Sequence, residues 1–271
     1  MSHVVVTGST KGLGFGLARE FLKRGHGVCI SGRNAAEVDA AVARLNADAA
    51  AGARAMGAVC DVADASQVQA LWDKAKAAFG SIDIWINNAG FARTGVTLAD
   101  LTPAEIAAMV NTNVVGTING SQVAAAGMAA QGHGRIYNTL GGGQDGRVLP
   151  GMIGYGTTKR ALRYFTDSMV KEMKGGPVKV GMISPGVNLT EGLLREMRAL
   201  PPERRRRMMA PMNIIGDLVE TTTPWIVARI LADDAHGTHI RWMTGGKLLA
   251  RFVGALFRKR NLFAHTDLAA A

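Results

Sequence analysis

Residues 3–24 run from an unbroken apolar stretch, HVVVTG, through a glycine-rich turn, STKGLG, into FGLAREFLKR, where apolar residues recur at helical spacing. The same order then repeats. GVCISGR (27–33), ARAMGAVCDV (53–62) and IDIWINNAG (82–90) are further apolar runs, separated by an Ala-rich helix near 35–50 and a second helix near 66–79. Strands that are apolar along their whole length and joined through helices of ten or more residues belong in a parallel sheet covered on both faces. The pattern continues with a helix over 103–129, a strand over 134–140, a helix over 153–174, a strand over 178–184 and a late strand over 239–244. The expected fold is α/β, a single doubly wound parallel sheet with helices on both faces. Ligands of such sheets lie beyond the carboxyl ends of the strands.

At 271 residues and 48% hydrophobic content the chain can build one large core, and no Pro/Ser-rich linker divides it, so one domain over 1–271 is expected. No apolar run approaches the roughly eighteen residues that span a bilayer, and MSHVVVTGST lacks the charged and apolar regions of a leader, which points to the cytoplasm. Cys29 and Cys60 fall in strand-like stretches and read as buried thiols. The histidines show no metal-ligand spacing, so no metal is expected.

The formal charge of +10 is local. Six Arg against three Glu fall within 191–207, and six Lys/Arg against no acid within 241–260. Neither zinc-finger spacing nor an RNP-like aromatic motif accompanies these patches, which argues against nucleic acid and leaves an anionic ligand or a membrane surface as the better partner.

TGSTKGLG (7–14) places Gly8, Gly12 and Gly14 among Ser9, Thr10, Lys11 and Leu13, directly after the first strand. Glycine there permits a tight turn and lets backbone N–H groups at a helix N-terminus approach a pyrophosphate, although an ordinary strand-to-helix turn favours glycine too. After the second strand, where an acid would bond a ribose 2′-hydroxyl, the chain has SGRN. Arg33 can pair bidentately with a 2′-phosphate and Lys11 adds a second positive charge, so the expected cofactor is NADPH; the plainer reading makes both solvated surface residues.

In order along the chain, TGSTKGLG (7–14), DV (61–62), NNAG (87–90), NTNVVG (111–116), YGTTK (155–159) and SPGVNLT (184–190) resemble the motifs of the short-chain dehydrogenase/reductase family. The resemblance implies a Rossmann-type domain that binds NADPH/NADP+. It implies Asp61 and Val62 near the adenine, Asn87, Ala89 and Gly90 along the cofactor, and Pro185, Gly186, Val187 and Thr190 about the nicotinamide. It also implies a homo-oligomer, dimer or tetramer. From Tyr155 onward, YGTTKRALRYFTDSMVKE, SPGVNLTEGLL and the tail from MNIIGD to GGKLLARFVGALFRK are similar to chlorophyll b reductases, which reduce a formyl group on a tetrapyrrole with NADPH.

Tyr155 and Lys159 are one helical turn apart and share a face. A free tyrosine titrates near pH ~10, and a neighbouring ammonium lowers that value, so Tyr155 is the expected proton donor and acceptor with Lys159 as its partner. By resemblance, Lys159 also bonds the nicotinamide ribose and Asn113 holds a relay water; read from the residue alone, Asn113 is a helix-interior amide bonded to backbone.

The family places a serine about thirteen residues before the tyrosine, and here those positions are Gly141 and Gly142, with no serine anywhere between Met128 and Tyr155. Thr139 and Gln144 are the nearest candidate donors. Loss of one such donor costs about 3–4 kcal/mol of transition-state stabilisation, which slows an enzyme without silencing it. The glycines also clear space for a wide, flat substrate.

Residues 188–215 are expected to form a small helical substrate lid whose Met and Leu side chains suit an adaptable apolar pocket. In KLLARFVGALFRKR (247–260) an apolar helical stripe is flanked by Lys and Arg, the composition of an interfacial helix and equally of a helix packed on its own domain or on a second subunit. The expected activity is hydride transfer between NADPH and the carbonyl or alcohol of a bulky hydrophobic substrate. The competing reading is a nucleotide-binding member without catalysis.

Overall fold

The computed structural model describes residues 1–268. Seven strands form one sheet in the order β3-β2-β1-β4-β5-β6-β9. These are β1 (His3–Val6), β2 (Gly27–Gly32), β3 (Ala55–Val59), β4 (Ile84–Asn87), β5 (Gly134–Thr139), β6 (Val178–Ser184) and β9 (His239–Arg241), and every neighbouring pair is parallel. The chain winds outward from β1 to β3, returns to the centre at β4 and winds the other way. The crevice of a doubly wound sheet opens at that reversal, beyond the carboxyl ends of β1 and β4.

Alternating residues of each strand face opposite layers. Val4, Val6, Ile30, Ile84 and Ile86 pack with Leu17 and Phe21 of α1 (Gly12–Lys23), Leu45 of α2 (Ala35–Ala47) and Ile226 and Ile230 of α9 (Val219–Ala232). Val5, Cys29, Trp85, Ile136 and Val180 pack on the other side with Leu71 and Trp72 of α3 (Ala65–Phe79), Ala124 and Met128 of α5 (Gly116–Gln131) and Met169 of α6 (Ile153–Glu172). Each fully buried apolar side chain of this size contributes about 1.5–3 kcal/mol. Both cysteines are free and buried, and burial pushes each thiol up to about 12.

Caps set the helix starts. Asn34 accepts from the Glu37 N–H, and Asp64 accepts from the N–H groups of Ser66 and Gln67. Thr102 and Glu105 form a capping box before α4 (Pro103–Met109). The helix expected over 103–129 is interrupted: α4 runs into a π-helical turn at Val110–Val115 before α5 begins. The cause is tertiary. Asn113, fully buried in that turn, bonds across to the main chain of Phe91.

The region expected as a helical lid consists of two helices, α7 (Glu191–Arg198) and α8 (Pro202–Ile215). A short parallel pair, β7 (Val187–Leu189) with β8 (Gly216–Leu218), closes its base. The late strand stops at Arg241, and α10 (Gly245–Phe257) follows, capped by Thr244.

Candidate active site

The glycine turn after β1 is locked to the loop after β4. Gly8 takes φ +60 and Gly12 φ +58, a region that glycine enters without strain, and a Cβ on Gly8 would stand 2.6 Å from the Ala89 Cα. The Thr7 hydroxyl accepts from the N–H groups of Asn88 and Ala89, and the Asn88 amide donates to the carbonyls of Thr7 and Gly8. Ser9 accepts from the Ser31 N–H, which ties the turn to β2. These contacts hold the first turn of α1 open at the crevice, beside a cleft of about 210 Å³ between Lys11, Gly12, Thr190 and Leu194. A backbone cradle with two glycines in this conformation at a helix N-terminus fits the pyrophosphate of a dinucleotide.

Other residues expected along the cofactor follow strand ends of the same sheet. Asp61 and Val62 follow β3, and the Val62 carbonyl accepts from Asn119 at 3.0 Å. Gly90 lies by Asn113, with 3.5 Å between a Cβ built on it and the Asn113 Oδ1. Pro185 and Gly186 follow β6, and Thr190 lies 3.4 Å from where a Cβ on Gly12 would stand. Some side chains are already engaged. Asn87 sits in a buried network with Trp85, Ser121 and Asn138 at 2.8–3.0 Å, so its amide stiffens the β4–β5 floor and only its main chain is left for a ligand. Thr190 caps α7 through the Leu193 N–H at 3.2 Å.

Arg33 is exposed after β2 and makes no ion pair or hydrogen bond with the described residues. Lys11 pairs with Glu37 at 3.3 Å, so its charge is partly spent. The sequence had offered both cations to a 2′-phosphate; the structure leaves Arg33 as the unencumbered one.

Tyr155 and Lys159 rise from the first turns of α6 beside the end of β5. Lys159 is 4% exposed, and its Nζ donates to the Thr139 carbonyl at 2.9 Å and lies 5.5 Å from the centroid of the Tyr155 ring. Burial pushes this ammonium down to about 8. Tyr155 departs from the sequence argument. Burial, and after it the Glu196 carboxylate, push its phenol above the usual tyrosine value, so the drop expected from Lys159 is overridden.

Glu196 was not foreseen. It stands on α7, in the region expected to form the lid, and its Oε2 accepts from the Thr94 hydroxyl at 2.8 Å and the Thr94 N–H at 3.2 Å. Burial raises its own pKa, against those two hydrogen bonds. No local pattern announces it, because Glu196 and Thr94 are 102 residues apart and are brought together only by the tertiary fold.

The Asn113 amide is fully committed: Oδ1 accepts from the Phe91 N–H at 2.8 Å, and Nδ2 donates to the Phe91 carbonyl and the Thr158 hydroxyl, each at 2.9 Å. Of the replacement donors for the absent serine, the Thr139 hydroxyl is buried without a hydrogen-bond partner. The Gln144 oxygen turns to Arg163 at 3.4 Å. A Cβ on Gly141 would fall on the Tyr155 hydroxyl, and one on Gly142 would meet the Met152 Cε at 2.8 Å. The N–H groups of Gly141, Gly142 and Gly143 donate to no acceptor among the described residues.

The short chain dehydrogenase family matches residues 2–198. This chain belongs to that family. Among short-chain dehydrogenases, a probable chlorophyll(ide) b reductase of the Arabidopsis thaliana chloroplast is 35% identical over 276 positions, 96% of this chain and 54% of the relative. The chain thus spans about half the length of that relative. Another A. thaliana chloroplastic chlorophyll(ide) b reductase is 32% identical over 269 positions, 96% of this chain and 76% of the relative. A 3alpha-hydroxysteroid dehydrogenase of Mediterraneibacter gnavus is 31% identical over 219 positions, 79% of this chain and 83% of that one. Among solved structures, levodione reductase superposes with a TM-score of 0.80 at 24% identity, over 92% of this chain and 98% of its own. NAD+-bound xylitol dehydrogenase gives 0.78 at 23%, over 89% and 97%. At such identity these two neighbours establish the Rossmann fold of a short-chain dehydrogenase and nothing narrower.

Proposed function

We propose that this short-chain dehydrogenase is an NADPH-dependent reductase of a carbonyl on a bulky, polycyclic hydrophobic substrate. The observation that carries the reading is the placement of the Tyr155 hydroxyl over Gly141, with Lys159 behind it, at the strand edge that also holds the glycine cradle. The bound NADPH supplies the hydride. Arg33 takes the 2′-phosphate, and the α1 N-terminus takes the pyrophosphate.

Tyr155 gives its proton to the substrate oxygen. Burial and Glu196 keep the phenol protonated near neutrality, the form that reduction consumes. Lys159, anchored on the Thr139 carbonyl, holds positive charge against the phenolate left behind. A relay water would rest on the Asn113 carbonyl, since the amide is occupied. The Gly142 N–H and the Thr139 hydroxyl stand at the edge where the serine would donate, so the third partner is substituted rather than lost.

The substrate class is supported by the composition of α7 and α8: around the buried Met197 and Met209, the partly buried Leu193, Leu194, Met208 and Met212 make the pair apolar and deformable. The two chlorophyll(ide) b reductases and the hydroxysteroid dehydrogenase compared above are named for wide, fused-ring substrates, which supports the same class for this chain. The test is NADPH oxidation by wild type and Tyr155→Phe over small aldehydes, aromatic ketones, steroid ketones and formyl-tetrapyrroles. Turnover of the large carbonyls, reduced about 10²–10⁴-fold in the variant, is expected. Tight NADPH binding with no reduction across the panel would favour the non-catalytic member instead.

A further inference from the structure

The thirteen residues of α10 include none that is buried. Its apolar side chains Leu249, Phe252, Val253, Leu256 and Phe257 are 67, 48, 49, 80 and 86% exposed. Steps of three and four residues put all five in one stripe. The helix is nevertheless fixed in place. On its other side Arg251 donates to both carboxylate oxygens of Asp217, at 2.7 and 3.0 Å, and to the carbonyls of Ile214 and Gly216. Arg260, just past the helix, reaches the same two carbonyls and Asp217. The chain thus spends two arginines and a buried aspartate on holding an apolar stripe outward.

The charges around the stripe choose its occupant. No acid lies between 241 and 260. Arg258 and Lys259 are exposed at the end of the stripe, and α8, on which α10 packs, carries exposed Arg206 and Arg207; none of the four makes an ion pair among the described residues. A two-fold contact with a second copy would bring this cationic set against itself. An anionic lipid surface attracts these cations and receives the Phe and Leu side chains at the headgroup boundary.

The geometry points to α10 as a docking helix for an anionic bilayer surface, with Leu249, Phe252, Val253, Leu256 and Phe257 inserted and Arg258 and Lys259 on the headgroups. No helix among the described residues is long and apolar enough to cross a membrane, so the contact is peripheral. It places the lid helix α8 next to the bilayer. The inference stands on the exposed face and its charges and does not need the proposed reaction to be correct.

The experiment is flotation of the full chain with phosphatidylcholine vesicles containing about 30% phosphatidylglycerol, and with phosphatidylcholine alone, at low and high salt. The double variant Leu256→Glu/Phe257→Glu removes insertion, and Arg258→Glu/Lys259→Glu removes attraction; these exposed positions leave the core untouched, and matching thermal melts check that. Wild type is expected to float with the anionic vesicles, to be released by salt, and to lose at least about tenfold in partitioning in each variant. Absence of anionic-vesicle binding, or binding equal in both variants, overturns the proposal. So does a dimer in sedimentation velocity that Leu256→Glu/Phe257→Glu converts to monomer, because the face would then belong to a second copy.

Discussion

The hydroxyl of Tyr155 occupies the space into which a side chain at residue 141 would project, so glycine at 141 and this placement of Tyr155 are mutually dependent. Gly141→Ser therefore does not restore the family's serine. It displaces the Tyr155 hydroxyl, the proposed proton donor, and a misplacement of about 1 Å is expected to cost about 10²-fold in kcat. NADPH affinity, read by fluorescence titration, is expected to hold within about twofold, since the cradle lies on other strands. Gly142→Ser meets only side-chain ends, of Met152 at 2.8 Å and Leu149 at 3.2 Å, and is expected to retain turnover.

In the proposed function Arg33 selects NADPH over NADH. Arg33→Ala removes a charge-assisted pair of about 1.5–3 kcal/mol and is expected to raise the NADPH dissociation constant by about 10–100-fold while leaving NADH unchanged. Glu37→Gln releases Lys11 and tightens NADPH binding several-fold. Equal losses for both cofactors in Arg33→Ala would remove Arg33 from the 2′-phosphate.

Lys159 gives the pH dependence its sign. Folded, it titrates at about 8; unfolded, at about 10.4. Between those values the unfolded chain holds the extra proton, so stability rises with pH across that window, and the cost of the buried ammonium is complete below it. Urea unfolding at pH 7.5 and 9.5 is expected to show wild type gaining about 2 kcal/mol relative to Lys159→Met. The kcat/KM profile falls above about pH 8, as the ammonium is lost.

Glu196 acts on that profile through Tyr155. Glu196→Gln keeps a group that accepts from Thr94 but removes the charge, and it is expected to lower the Tyr155 pKa, read as a downward shift of the tyrosine absorbance titration relative to wild type. A change in KM without that shift would assign Glu196 to the substrate alone.

Asp217, 3% exposed, receives Arg251, Arg260 and the Trp242 indole N–H, the last at 2.7 Å. Asp217→Ala strands those partners and is expected to cost about 3–5 kcal/mol locally. Limited proteolysis would then cut between 241 and 262 faster than in wild type, while the sheet stays protected.

The alternation of apolar runs and helices made the parallel sheet legible, because each fully buried strand needs a continuous apolar sequence and each crossover needs a helix of its own. The glycine turn and the Tyr155–Lys159 spacing were legible for the same reason: a turn and a single helical step are local geometry, written within a few neighbouring residues. What the chain does with those residues was not local. The π-turn at Val110–Val115, the commitment of the Asn113 and Asn87 amides and the pairing of Lys11 with Glu37 all arise from partners that pattern alone does not name. Glu196 reaches Thr94 across 102 positions of sequence, and the Tyr155 pKa is raised by burial first and by the Glu196 carboxylate second. Hydrogen-bond saturation and desolvation depend on which surfaces close on each other, and only the folded chain decides that.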